Sequence, residues 1–196
     1  MFHSPIGRVL SFVISIVAVA AVGLVVIKPA LDRATGSASK TVTTGNGTAS
    51  TDLFAPGEFQ KATAEIERKV EGNPQLLEVG VYEGFTRFTY FDRPKDGAYG
   101  FEWRDNTVRD VKVQVSGSGS LKQNAFPQSM LDPRAPARIA AALDDRVKGD
   151  PVITSLTLKR VPVTLKVTWT GAYENGSRTG LVFQARPSGG GLKLIG

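Results

Sequence analysis

From Val9 to Ile27 the chain runs for 19 residues without a charge, built mostly of Val, Ile, Ala, Leu and Phe. As a helix this stretch spans about 28 Å at ~1.5 Å per residue, close to the ~30 Å hydrocarbon core of a bilayer. A cleaved signal peptide has a shorter apolar region, ~7–15 residues, ending at a small-x-small site. Here Ala18, Ala20 and Ala21 lie inside the apolar run, so the pattern predicts a retained transmembrane helix over 9–27. Residues 1–8 are a short tail, and 28–51, rich in Gly, Ser, Thr and Ala, read as a flexible linker. Basic residues flank both sides of the span, Arg8 and the amino terminus on one and Lys28, Arg33 and Lys40 on the other, so counting them does not favour export. The short tail and the linker place the N-terminus in the cytoplasm and the remaining chain outside it, at the cell membrane.

Beyond the linker the pattern occurs twice. At an offset of 77 residues, Leu53–Phe91 aligns with Met130–Thr168, with Pro56/Pro133, Ala64/Ala141, Val70/Val147, Gly72/Gly149 and Pro74/Pro151 identical. Phe59, Ala62, Ile66 and Val70 recur at helical spacing, as do Pro136, Ile139, Leu143 and Val147. Asp132 before Pro133 is a helix start signal, and Gly72 and Gly149 are stop signals, each followed by an Asn-Pro or Asp-Pro pair.

Alternating strands follow each stop. Leu77, Val79 and Val81 open the first set and Leu156 and Leu158 the second. Phe85–Phe91 and Val163–Trp169 are the next pair. Tyr99–Trp103 then matches Thr179–Phe183 at offset 80, with a loop three residues longer, and Val111–Val113 matches Leu192–Leu194. The predicted class is α+β: a transmembrane helix, then two tandem repeats of one helix plus about four antiparallel strands, over 52–120 and 121–196. Half-cores of ~70 residues are marginal alone, so the repeats are expected to pack together, one continuous curved sheet being one way to do so.

The register predicts a helix-facing set of Leu77, Val79, Val81, Phe88, Tyr90, Phe101, Trp103, Val111 and Val113. In the second repeat the set is Leu156, Leu158, Val163, Leu165, Val167, Trp169, Leu181, Phe183, Leu192 and Leu194. The opposite face of the first sheet then carries Tyr82, Phe85, Arg87, Phe91, Glu102 and Lys112. Its counterpart is plainer, with Lys159, Thr164, Lys166, Thr168, Val182 and Gln184. Aromatics with an arginine on an uncovered face are what protein-interaction surfaces enrich, and these six are the candidate partner-binding residues. The competing reading is that this face packs against the other repeat or against Phe126-Pro127.

A tandem unit of ~77 residues, each a helix followed by a four-stranded antiparallel sheet, resembles the beta-lactamase inhibitor proteins and the wider PepSY-like group of extracytoplasmic modules. The resemblance covers Leu53 to Ile195 and rests on element order and repeat length, with no diagnostic motif. The cysteines frequent in such secreted inhibitors are absent. It also resembles the anchored extracytoplasmic proteins of high-GC Gram-positive bacteria. What the resemblance implies is protein binding or inhibition by an open sheet face, and it carries over no individual residue.

Composition narrows the chemistry. The chain has no cysteine, which excludes thiolate nucleophiles, thiolate metal sites and disulfides. Its one histidine, His3, precedes the apolar stretch, which excludes a Ser-His-Asp triad or a histidine metal site in the repeats. Asp144-Asp145 and Glu65/Glu67 do not converge on one point of a helix. No catalytic, cofactor or metal residue is predicted, and no small-molecule ligand is marked. Net charge is +6, yet 52–128 has 10 basic against 12 acidic residues and 129–196 has 10 against 5. Without a basic run interleaved with aromatics, nucleic-acid binding is not predicted. The sequence therefore predicts a non-enzymatic, membrane-anchored module that binds an envelope protein or inhibits a secreted enzyme. The alternative is an accessory subunit of an envelope secretion, conjugation or lipid-transport complex.

Overall fold

The computed structural model describes residues 51–113 and 120–195. The predicted tail, span and linker, apart from Thr51, lie outside the described residues. So does most of the Ser-Gly connector. Among the described residues no helix is long and apolar enough to cross a membrane.

The elements run α1 (Glu58–Glu67), β1 (Gln75–Tyr82), β2 (Phe85–Asp92), β3 (Gly97–Arg104) and β4 (Thr107–Val111). After them come α2 (Leu121–Asn124), β5 (Phe126–Pro127), a 3-10 turn (Gln128–Met130) and α3 (Ala135–Asp144). The chain ends with β6 (Pro151–Arg160), β7 (Val167–Asn175), β8 (Arg178–Ala185) and β9 (Lys193–Ile195).

The expected fold class is corrected here. The strands do not form two sheets of four: they form one antiparallel sheet of nine, in the order β4-β3-β2-β1-β6-β7-β8-β9, with β5 also on β1. Helices are a minor part of it. The joint is β1 with β6, in register from Glu78↔Lys159 to Tyr82↔Ser155. Each of these strands would otherwise be an unpaired edge beside a core too small to stand alone, and pairing them removes both liabilities. β5 extends the joint by placing Phe126 opposite Leu76.

One core results. Phe59 of α1 stacks on Phe88 of β2 at 6.0 Å and meets Trp169 of β7 edge-on at 6.4 Å, so a single side chain bridges both halves. Ile139 and Leu143 of α3 join the same cluster as Val79, Leu158, Trp103 and Phe183. Both helices end earlier than their glycines. Past Glu67 the chain continues on i−3 bonds, Lys69 N–H to Ile66 O and Val70 N–H to Glu67 O, before Gly72 turns it at φ 76°. Gly149 does the same at φ 107°. The Asp132 carboxylate accepts the Arg134 N–H and so caps the turn before α3, as Asp52 does for Phe54 before α1.

The inward assignments of Leu77, Val111, Val163 and Leu165 are also corrected. A bulge between Leu76 and Glu78 turns Leu76 into the core and leaves Leu77 half-buried. Val111 pairs with Gly100, on the face away from the helices, and a Cβ on Gly100 would sit 2.8 Å from Val113 Cγ2 and 3.0 Å from Val111 Cγ2. The cause is the two-residue turn Asp105-Asn106, with φ 51° and 56°, which pairs Arg104 with Thr107 and so fixes the parity of β4. Val108, not Val111, faces inward opposite Trp103. Finally, Val163 and Leu165 are not in a strand: they are 93% and 58% exposed in the loop before β7. The extra length of the second half falls between β6 and β7, 161–166 against 83–84, and between β8 and β9, 186–192 against 105–106, and not between the second and third strands.

Candidate binding face

Residues paired across an antiparallel sheet share a face, so the register locates every candidate side chain. One row on the side away from the core reads Thr107, Arg104, Phe85, Tyr82, Ser155, Ala172, Val182 and Ile195. The next row reads Arg109, Glu102, Arg87, Gly80, Thr157, Thr170, Gln184 and Lys193. In these two rows the side chains are half-buried or exposed, and only the glycine is buried. Among the described residues nothing covers this surface. The other half continues the sheet sideways, and Phe126 is buried on the helix side.

Four of the six candidates meet here. Tyr82 stacks on Phe85 at 4.7 Å between centroids with 16° between planes. The Arg104 guanidinium lies 4.4 Å above the Phe85 ring. Arg87 Nη2 donates to Glu102 Oε2 at 2.8 Å, and Arg104 Nε approaches Glu102 Oε1 at 3.4 Å, an ion pair without hydrogen-bond geometry. The result is a continuous strip across β1, β2 and β3: Tyr82, Phe85, Arg104, Glu102 and Arg87. Tyr82 lies flat because Gly80 leaves room: a Cβ there would be 2.7 Å from Tyr82 Cε2. Burial raises the Tyr82 phenol above its ordinary value, the Glu78 charge raises it further, and Arg87 opposes both. The phenol is therefore a hydrogen-bond donor at neutral pH.

Two candidates do not join the strip. Phe91 shares its parity but is 7% exposed at the far end of β2, away from Tyr82. Lys112 lies beyond the last residue of β4 and is exposed. Conversely, the sequence reading passed over Arg104, which links the aromatic and ionic parts of the strip. Its signal was present: Glu102 and Arg104 are two apart on one strand, immediately before the Asp-Asn turn that fixes the parity of both strands.

On the second half the same face is plain. Lys159, Thr168, Val182 and Gln184 lie on it as expected, while Thr164 and Lys166 belong to the loop before β7. Two acidic groups of α1 are engaged structurally: Glu65 with Arg68 at 2.6 Å, and Glu67 accepting from Gln128 at 2.7 Å. Among the described residues no group of three or more His, Asp or Glu side chains could hold a metal ion. What the strip can do chemically is stack, offer a guanidinium and a phenol, and accept through a carboxylate. Compared with known proteins, the chain matches no family model, and no curated protein or solved structure matches it significantly.

Proposed function

We propose that this chain is a non-enzymatic protein-binding module, held at the membrane by Val9–Ile27, whose open sheet face engages an envelope protein or inhibits a secreted enzyme. The observation that carries the reading is the Tyr82–Phe85–Arg104–Glu102–Arg87 strip on a face that neither helix covers. Tyrosine and arginine dominate binding hot spots because each joins apolar area to directional hydrogen bonding. For folding alone such a strip contributes little: exposed ion pairs and cation–π contacts stabilise by about 0–1 kcal/mol each. The resemblance in element order to tandem inhibitor modules points the same way.

A photo-crosslinking residue in place of Phe85, used in intact cells with mass-spectrometric identification, tests the proposal. The expected result is one dominant protein partner, lost when Arg104→Ala is added while the fold is retained by circular dichroism. Crosslinks only within the chain would sink it.

A further inference from the structure

The second half carries a feature that the open face does not use. Between β6 and β7 the loop Val161–Lys166 is closed by Val161 N–H to Lys166 O at 2.8 Å and Leu165 N–H to Val161 O at 2.7 Å. Within it Val163 is 93% exposed and Leu165 58% exposed, the two largest such values among the large apolar side chains of the described residues apart from Val152. Leu165 is held at φ 53°, a left-handed backbone that a leucine rarely adopts. Beside the loop a groove of about 1350 Å³ is lined by Leu165 and Met130 together with Arg160, Lys166, Arg186 and Lys193. Its one acid, Asp132, is already paired with Arg138 at 2.6 Å. Among the described residues none of the four cations is in an ion pair.

Apolar tips beside unpaired lysine and arginine are poorly matched to water and well matched to one environment. An anionic lipid surface offers acyl boundary for Val163 and Leu165 and phosphates for the surrounding cations. A folded protein partner would have to supply an apolar socket and a dense acidic rim together. We infer that the β6–β7 loop is a membrane-docking tip, which seats this end of the domain on an anionic phospholipid surface. The docking does not need the open face, and it borrows from the proposed anchor only a nearby bilayer. The 24 residues of 28–51, fully extended, measure about 80 Å.

The absence of native cysteine makes the test direct. The full chain bearing Val163→Cys, labelled with an environment-sensitive fluorophore, is incorporated into vesicles of phosphatidylcholine alone or with phosphatidylglycerol. Docking predicts a blue shift and a severalfold rise in emission only in the anionic vesicles, lost in Arg160→Glu/Lys166→Glu/Arg186→Glu and in salt of about 0.5 M, where surface charges are screened. The control label at Val152→Cys, exposed near the other end of β6, stays aqueous throughout. Near-ultraviolet circular dichroism checks that each variant keeps its fold. A label at 163 that stays aqueous in anionic vesicles overturns the inference. So does a shift indifferent to lipid charge, or one shared by position 152. Flotation with neutral vesicles reports the anchor separately: a chain that does not float lacks an inserted span, and the loop is then read by adding that chain to the anionic vesicles from solution.

Discussion

The two halves of the sheet are built alike and dressed differently. Each sets one ten-residue helix and four strands around the core. Inside, both halves use a large aromatic at the centre of the packing: Trp103 and Phe88 in one, Trp169 and Phe183 in the other, all at most 1% exposed. Outside they diverge. The first half carries Tyr82, Phe85, Arg87, Glu102 and Arg104, while the matching rows of the second half carry Ser155, Thr157, Thr170 and Ala172. Its distinctive chemistry has moved to the loop before β7. The inward positions answer to one shared core in which every methylene is felt, whereas outward positions are free to take whatever surface is used.

The largest expected effect tests whether the halves are one structure. Trp169 is fully buried, touches Phe59 and donates its indole N–H to Pro187 O at 3.1 Å. Trp169→Ala should cost about 3–5 kcal/mol. Urea denaturation should still show a single transition, because Phe59 ties the first half to the same cavity. Two resolved transitions would mean that the halves fold separately.

A smaller effect compares the two faces through their glycines. A Cβ on Gly171 would lie 2.2 Å from Phe183 Cζ, inside the core, and Phe183 is fully buried. Gly171→Ala should destabilise by about 1–3 kcal/mol. Gly80→Ala meets Tyr82 instead, whose ring can swing toward solvent, and should cost about 0.5 kcal/mol or less. Its mark should be a fall of the Tyr82 phenol pKa toward the ordinary value as the ring leaves its half-buried seat. Equal costs at the two sites would show that the open face is packed as tightly as the core.

A further difference between the halves is alkaline. Tyr82, Tyr90 and Tyr99, all in the first half, have phenols raised above 10.0, in each case chiefly by burial. For an acid whose folded pKa is raised, the fold favours the protonated form. Its contribution is complete below the unfolded value of 10.0 and fades as pH climbs from there through the folded values. Denaturation midpoints should hold up to about pH 9 and fall beyond pH ~10, with phenolate absorbance appearing later than in the unfolded chain. Phenols that all titrate at the ordinary value, with no loss of stability, would contradict this.

Much of the element order was legible because helical and alternating periods are local signals. Phe59, Ala62 and Ile66 define the buried side of α1, and Val79, Val81, Phe88 and Trp103 face the core as their alternation says. The errors have particular causes. Val163, Leu165, Val167 and Trp169 alternate without a break, yet only the last two face the core. Periodicity cannot see that Leu165 adopts a left-handed turn. Val111 was misplaced because a two-residue turn sets the parity of the following strand, and the side-chain pattern of β4 alone is too short to reveal it. The strip on the open face was partly legible in Tyr82, Phe85, Arg87 and Glu102. Arg104 appears as its link only once Phe85 is known to pair with it across β2 and β3.

The sequence by itself determined most of the helix and strand order, many of the buried aromatics and the exclusion of thiol and histidine chemistry from the repeats, since these follow from residue identity and local period. Only the tertiary structure decided that β1 and β6 join two halves into one sheet, which face stays open, and which side chains on it touch. Those outcomes depend on strand pairing between residues some 80 positions apart, and non-local pairing is chosen by edge satisfaction and shared burial, which no local pattern encodes.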